Sequence, residues 1–354
     1  MTSSQTQAVL HNYYGTLLDI VLIVAFLVAL KLAMVYFMAI MSRWVDENAA
    51  SSAAQAKAAK AARVKEPLSR TILWYGLGVA WLVNGILQMR ANIVIASKSS
   101  LLHQPAFYAQ PPWVHHLLQM TIDAFAAHPI RNNIWSVFIQ LIIGSAILVG
   151  KDKIWGKGGL WLSILWSVFI WAFGEGFGRL FSGSPSYLHG SPGAAVFFVF
   201  AAVILLFSPD GWEGRLPAVN RRMILAYWFI GGLWQLVPVA GHWTKPAIAG
   251  LLQYSLHGPR THALDPSTLF WSQQLAGSGV IWNAVFAFVP ILLAVIGWKR
   301  RTTWLGVVLT LWTLFVWWIG QSLSAPEQTG IDLNAGIALA LVTVSSWLWT
   351  ASRR

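Results

Sequence analysis

The sequence predicts an all-α integral membrane protein with nine transmembrane helices: one N-terminal span, then two parallel four-helix repeats with interfacial helices on the outer side. Composition sets the class, because hydrophobic residues make up 56% of the 354 residues and charged residues only 10%. The mean hydropathy is +0.59. A soluble chain of this length would not show such values. Nine apolar segments and an internal repeat then predict the architecture.

Each apolar segment is long enough, with help from flanking aromatic residues, to cross a hydrocarbon core of ~30 Å at ~1.5 Å per residue. The predicted spans are residues 16–42, 71–95, 134–150, 159–181, 193–208, 221–240, 281–297, 303–323 and 334–350. An Ala/Lys-rich cytoplasmic linker of high helix propensity follows the first span. Residues 1–70 therefore form an N-terminal span and linker outside the repeat.

Three landmarks recur at nearly one offset. Gly85-Ile-Leu-Gln88 returns 147 residues later as Gly232-Leu-Trp-Gln235, and Ile134-Trp135 returns at the same offset as Ile281-Trp282. The Trp-rich helix that leads to Glu175 returns after 146 residues. Matched tryptophans at one offset indicate a tandem duplication.

The duplication divides the chain into a first unit, residues 71–210, and a second unit, residues 211–354. Each unit has four spans, an even number, so the two run parallel and are related by a pseudo-twofold axis along the membrane normal. A long outer connection follows the first span of each unit. Segments 113–127 and 266–275 within these connections are predicted to be interfacial helices.

Orientation follows from the basic residues. Most Lys and Arg lie in connections 43–70, 151–158, 209–222 and 298–302 and at the C-terminus, and these alternate with connections that are nearly free of them. Basic connections face the cytoplasm, so the N-terminus is predicted outside and the C-terminus inside. The net charge of +12 reflects this asymmetry and contact with anionic lipid. It does not indicate a nucleic-acid partner.

The cofactor chemistry is restricted by residue type. The chain has no cysteine, which excludes disulfides, iron–sulfur clusters and covalently attached haem in it. All nine histidines fall on the predicted outer side, so no axial haem ligand is expected within a span. The outer histidines could hold copper or zinc, or simply make the surface polar. The candidate metal ligands are His115, His116, His242 and His257.

Four polar side chains are predicted at one depth, ~21–27 Å above the cytoplasmic edge, with aromatic residues around them. They are Gln88, Glu175, Gln235 and Gln321. Polar groups at such a depth either hold helices together or line a cavity that opens to one side. We therefore predict a ligand pocket in the outer leaflet. Its candidate residues are Gln88, Glu175, Gln235, Gln321, Arg179, Lys31, Trp171 and Trp317.

Two of these candidates have competing interpretations. Arg179 follows Glu175 at i+4, the spacing of a helical side-chain pair, so the two could form a structural ion pair instead of a ligand site. Lys31 is predicted at the middle of the bilayer, where it either reaches toward the interface or takes part in a polar pathway. If the first span packs on the first unit, Lys31 could approach Glu175.

The four-helix unit combines a first helix bearing Gly85 and Gln88, a long outer connection, a second helix bearing Gly144, and Gly174-Glu-Gly-Phe-Gly178. It resembles the DoxX/DoxD-type bacterial membrane modules over roughly residues 71–350. The DoxD-type family is linked to thiosulfate:quinone oxidoreductases. The resemblance implies a subunit of a redox or respiratory complex in the bacterial cytoplasmic membrane, with other membrane subunits as partners and a quinone or lipid nearby. The chain departs from the family in its duplication, its extra N-terminal span and Gln321 in place of a glutamate.

Three functions remain open. The first is a non-catalytic membrane subunit of a redox complex with a quinone or lipid pocket. The second is a small-molecule or ion transporter that uses the pseudo-twofold pocket. The third is a membrane scaffold or metal-delivery accessory. An independent enzyme is the least favoured class, because no nucleophile–base pair or metal motif is evident.

Overall fold

In the computed structural model, the described residues are α-helical with short turns, and they contain no β-strand. These residues are 3–47, 67–95, 110–207, 212, 215–244, 265–300, 302–321 and 334–351. Six of the described helices are long and apolar enough to cross a membrane, and two further apolar helices are shorter. The all-α class is confirmed for this part of the chain.

Each predicted span contains a described helix, although the span predicted over residues 71–95 is interrupted between Gln88 and Ala91. The helices are α1 Ser3–Glu47, α2 Leu68–Gln88, α3 Ala91–Ile95, α4 Pro112–Ala127, α5 Pro129–Val149, α6 Ile154–Phe169, α7 Ala194–Leu206, α8 Arg215–Leu236, α9 Asp265–Lys299, α10 Thr303–Gln321 and α11 Asn334–Ala351. Those that meet both the length and the hydropathy condition are α1 (over Val9–Met34), α2, α5, α6 with its extension to Gly174, α9 (over Leu269–Lys299) and α10.

Glycines allow the first two long helices of each unit to approach closely. In the α2–α5 pair, a Cβ at Gly144 would lie 2.9 Å from the carbonyl oxygen of Gly78. In the α8–α9 pair, a Cβ at Gly232 would lie 2.6 Å from the carbonyl oxygen of Ala287. Small residues at such crossings are typical of membrane helix pairs. Helix α11 then packs against α2, α7, α8 and α10 and so connects the two units.

Hydrogen bonds fix the register of α1 against the first unit. Tyr13 on α1 is fully buried, and its hydroxyl accepts a bond of 2.6 Å from Asn133 Nδ2. The same hydroxyl lies 3.4 Å from the carbonyl oxygen of Gln88, to which it donates. The N-terminal part of α1 therefore lies level with the C-terminal end of α2.

The same packing places Lys31 beside the start of α6. Its ammonium stands 4.5 Å from the ring centre of Trp155, in a cation–π contact. Trp155 lies at the start of α6, about 30 Å along that helix from Glu175. Lys31 and Glu175 therefore do not approach each other.

Two predicted helix boundaries were wrong. The helix predicted to run through residue 181 ends earlier: α6 passes into a π-helical turn, Ile170–Gly174, and then leaves the helical conformation. In the second unit, the predicted interfacial helix 266–275 is not separate, because α9 runs from Asp265 to Lys299 with one break at Ser278. In the first unit the corresponding helices, α4 and α5, are separated at His128.

An ion pair joins the start of α2 to the turn before α6. The guanidinium of Arg70 donates two bonds to the carboxylate of Asp152, at 3.2 and 2.5 Å. Arg70 is buried, whereas the side chain of Asp152 is 46% exposed. Two parallel bonds make this the geometrically specific form of an Arg–carboxylate pair.

Candidate functional site

The segment 175–193, called the 175–193 loop below, begins with a left-handed turn. Gly176, Phe177, Gly178 and Arg179 have φ values of +52°, +58°, +58° and +62°. This conformation costs roughly 1–2 kcal/mol for each residue that has a Cβ. The turn packs closely against the backbone of Pro192, because a Cβ at Gly178 would overlap the carbonyl oxygen of Pro192. Strain that the surroundings enforce is common at binding sites.

Glu175 stabilises the start of α7. Its carboxylate accepts a hydrogen bond from the backbone N–H of Ala195, with N–O distances of 3.1 and 3.4 Å to its two oxygens. A carboxylate there also complements the helix dipole. Glu175 and Arg179 do not have the i+4 relation of a helical pair, because the chain leaves the helix before Glu175.

A largely apolar cavity of about 160 Å³ lies in the first unit, between α2, α4, α5, α6 and α7. It is called the first-unit cavity below. Aromatic rings of Trp81, Trp166, Phe169 and Phe173 line it. Such a cavity, apolar with a few polar groups at its wall, is typical of a site for an apolar or amphipathic small molecule.

Polar groups face this cavity. Gln88 and Glu175, both predicted as pocket residues, line it together. The Gln88 amide is held in place, because Nε2 donates to Asn133 Oδ1 at 2.5 Å. Gln140 also lines the cavity and is 5% exposed, and its side chain makes no hydrogen bond with the described residues. The Ser167 hydroxyl is buried without a partner as well.

A side chain of the 175–193 loop is buried among α8, α9 and α10. Tyr187, from the 175–193 loop, is buried against Trp228, with ring centres 5.3 Å apart. It also contacts Gly231, and the next residue of the loop, Leu188, lies against Gly320 on α10. A loop from the first unit is thus inserted between helices of the second.

The hydroxyl of Tyr187 has a specific acceptor. It donates a bond of 2.5 Å to the carbonyl oxygen of Phe286 on α9. In a regular helix that carbonyl would accept from the N–H of residue 290, but residue 290 is proline. Proline has no N–H, so it leaves the carbonyl four residues earlier without a helical partner. Tyr187 supplies the missing donor.

The remaining predicted pocket residues lie in related positions. Trp171 Nε1 donates to the carbonyl oxygen of Pro192 at 2.7 Å. The ring of Trp171 lies beside Gly193, the residue before α7, and the ring of Trp317 lies against Gly336, in the first turn of α11. Both tryptophans therefore pack on a glycine at the beginning of the helix that follows.

Gln235 and Gln321 lie near the C-terminal ends of α8 and α10. The backbone carbonyl of Gln235 accepts a bond of 3.1 Å from Asn283 Nδ2, as that of Gln88 accepts one of 2.9 Å from Asn133 Nδ2. The side-chain oxygens of Gln235 and Gln321 are buried without a partner in the described structure. The amide of Gln321 faces Gly190 of the 175–193 loop.

Three basic side chains lie near one another at this loop: Arg179, His189 and His242. Burial lowers the pKa of His189 to about 3, and the charge of Arg179 contributes. Burial also lowers the pKa of Arg179. It lowers the pKa of His242 too, although a hydrogen bond from that ring to the backbone of Pro185 opposes the shift. Both imidazoles are therefore neutral at pH 7 beside a guanidinium.

The predicted metal ligands are not brought together. His115 and His116 are exposed on α4, whereas His242 is 7% exposed at the turn after α8. His257 lies outside the described residues. Across the described ranges, no group of three or more His, Cys, Asp or Glu side chains is placed to hold a metal ion.

Sequence reasoning missed several residues of this region. Tyr187 lies in a Gly/Ser/Pro-rich loop, where a buried aromatic ring was not expected. A signal for it was present, because Pro290 within an apolar run implies a carbonyl that needs another donor. Asn133 and Asn283 were also detectable as amides at the ends of apolar helices.

The chain was compared with models of known protein families, with curated proteins and with solved structures, and none of the three comparisons gave a match.

Proposed function

We propose that this chain is a nine-span membrane protein of two parallel repeats, and that its first-unit cavity binds an amphipathic molecule with a ring head group, of the quinone class. We further propose, from the resemblance to DoxX/DoxD-type modules, that it is a non-catalytic subunit of a redox complex in the bacterial cytoplasmic membrane. The observation that carries the binding proposal is the insertion of Tyr187 into the second unit.

The argument rests on equivalent positions in the two units. At the offset of 147, the cavity residues Trp81 and Asn84 correspond to Trp228 and Gly231, both of which contact Tyr187. At the offset of 146, the cavity residue Gly174 corresponds to Gly320, which contacts the same loop. The space equivalent to the cavity therefore holds a phenol ring with an oxygen at its tip.

Among the described residues, none fills the first-unit cavity with a ring as Tyr187 fills the space in the second unit. The connection equivalent to the 175–193 loop is 322–333, which contains no aromatic residue. The polar wall also differs, because Gln140 corresponds to Ala287 at the offset of 147. A ligand with a planar ring and a carbonyl or hydroxyl group would occupy the cavity as Tyr187 does and would hydrogen-bond to Gln140. A phospholipid has no such ring.

The test is the occupancy of the cavity. The chain is purified from its native membrane in polymer-bounded nanodiscs, and bound molecules are identified by mass spectrometry after extraction. We expect quinone at a higher ratio to phospholipid than in the bulk membrane. Thr121→Trp introduces a large ring at the cavity wall on α4 and should abolish the enrichment. Met120→Trp, at an exposed position on the same helix, is the matched control.

Two results would contradict the proposal. If wild type and Thr121→Trp carry equal quinone, the cavity is not the binding site. If the native preparation contains no partner protein with a redox cofactor, the assignment to a redox complex fails, while the binding proposal stands or falls on the first result.

A further inference from the structure

The 175–193 loop and the turn after α8 bring three basic side chains together. The hydroxyl of Ser191 donates a bond of 2.7 Å to the carbonyl oxygen of Gly178, so Arg179 and His189 are neighbours across the folded loop. His242 is bound to the same loop through the carbonyl of Pro185. The three groups come from two segments that are distant in sequence.

Each of these side chains has a polar atom without a partner. Arg179 Nε, His189 Nδ1 and His242 Nε2 are all buried and make no hydrogen bond within the described residues. His242 is 93% buried, being 7% exposed. One unpartnered atom is unremarkable, but here three such atoms belong to basic side chains. Arg179 is only partly buried, and its guanidinium forms no ion pair with the described residues.

The groups that surround the cluster do not neutralise it in the described structure. Glu175 directs its carboxylate to the N-terminus of α7. On the side of α10, the neighbour is the amide of Gln321, which carries no charge. On the side of α8, the hydroxyl of Tyr227 donates to the carbonyl of Ser191 at 3.2 Å. The cluster thus offers the guanidinium of Arg179 as a hydrogen-bond donor that carries a fixed positive charge.

We propose that Arg179, His189 and His242 form a binding site for a small oxyanion of the phosphate or sulfate class. A guanidinium matches the geometry of such an anion, because it can donate two parallel hydrogen bonds. An imidazole that becomes protonated donates a further bond. Two sources share this chemistry: a free inorganic anion and the phosphate of a lipid head group.

The site predicts a coupling between anion binding and protonation. Without the anion, burial and the charge of Arg179 keep both imidazoles neutral. A bound anion compensates that charge and makes protonation of His189 and His242 favourable. By linkage, the anion binds more tightly at low pH than at high pH. The site is independent of the quinone proposal, since it shares no lining residue with the first-unit cavity.

The test measures thermal unfolding of the full chain in a zwitterionic detergent, with sodium sulfate or with sodium chloride at equal ionic strength. For wild type we expect a larger rise in Tm with sulfate than with chloride, and a sulfate Kd at least tenfold lower at pH 5.5 than at pH 8. Arg179→Gln should lose the specific response. It should not lower the Tm in sulfate-free buffer, because the guanidinium forms no ion pair with the described residues. Arg131→Gln, at an exposed arginine on α5, should respond as wild type does.

A second experiment distinguishes a free inorganic anion from a lipid phosphate. In nanodiscs that contain phosphatidylglycerol, loss of the sulfate response relative to nanodiscs of a neutral galactolipid, which has no phosphate, identifies the lipid phosphate as the occupant, whereas an unchanged response identifies the free anion. The proposal is overturned if sulfate and chloride act alike on wild type. It is also overturned if Arg179→Gln responds as strongly as wild type, or if the sulfate Kd is the same at both pH values.

Discussion

The hydroxyl of Tyr187 lies 2.5 Å from the carbonyl oxygen of Phe286. The two residues belong to different units, and Pro290 leaves that carbonyl without its helical N–H. Because both atoms are buried, removing the donor leaves an unsatisfied acceptor. We therefore expect Tyr187→Phe to lower the free energy of unfolding by about 1–3 kcal/mol.

A double-mutant cycle tests this reason. Pro290→Ala restores an N–H that can bond the carbonyl of Phe286, so Tyr187→Phe should cost less in the Pro290→Ala background than in wild type. Chemical unfolding in mild detergent gives the four free energies. If Tyr187→Phe lowers the free energy of unfolding equally in both backgrounds, the hydroxyl does not replace the helical N–H.

Gly178 and Gly183 offer a matched pair in the 175–193 loop. Both have positive φ, +58° and +76°, so alanine is strained at either position by about 1 kcal/mol. At Gly183 a Cβ meets nothing within 4 Å, whereas at Gly178 it would overlap the backbone of Pro192. We expect Gly178→Ala to cost about 3 kcal/mol or more beyond Gly183→Ala. Similar losses in unfolding free energy for both variants would mean that the left-handed turn is not packed on Pro192.

The Arg70–Asp152 pair is expected to contribute to stability through its buried partner. Asp152→Asn keeps a residue that tolerates the positive φ of 59° at this position, and so it removes mainly the charge. Breaking a buried pair costs several kcal/mol, but Asp152 is 46% exposed, so we expect about 1–2 kcal/mol. Asp123→Asn, at an exposed aspartate on α4, is the control. Equal effects of the two variants on unfolding would contradict a specific role for the pair.

His189 should make the fold sensitive to acid. Its pKa is about 3 in the folded protein and near 6.5 when unfolded. Between these values the unfolded chain binds the extra proton. Stability from this group is therefore full above pH 6.5 and declines as the pH falls toward 3, by at most about 1.4 kcal/mol per pH unit.

The measurement is the slope of unfolding free energy against pH between 7.5 and 5.5, in buffer free of sulfate and phosphate. His189→Asn should reduce the slope, because the folded and unfolded states then no longer differ at this position. His128→Asn, at an exposed histidine, should leave the slope unchanged. If His189→Asn shows the same slope as wild type, other groups cause the acid sensitivity.

The helices were predictable because apolar runs of this length have few alternatives to helix in a membrane. Their contacts with one another were not. The hydrogen bond between Tyr13 and Asn133 fixes the register of α1, and that is a contact between distant residues. The contact between Lys31 and Trp155 also joins distant residues.

The candidate site was only partly predictable, for a related reason. Gln88 and Glu175 were expected to share a pocket, and they line one cavity. The proposed i+4 pair assumed that the helix continues to Arg179, but Gly176 and Gly178 allow the left-handed turn that ends it. The place of Tyr187 depends on how one unit packs on the other, which periodicity within a single helix does not report.

The insertion of the 175–193 loop also constrains the order in which the chain can mature. Tyr187 is synthesised before α8, α9 and α10, the helices that receive it. The last of them ends about 130 residues later, a delay of roughly 10 s at typical rates of translation. During that interval the helices that the loop contacts are not yet complete. The first unit has then been fully synthesised, but its loop cannot reach its final packing. Maturation of the N-terminal unit therefore waits for the C-terminal one.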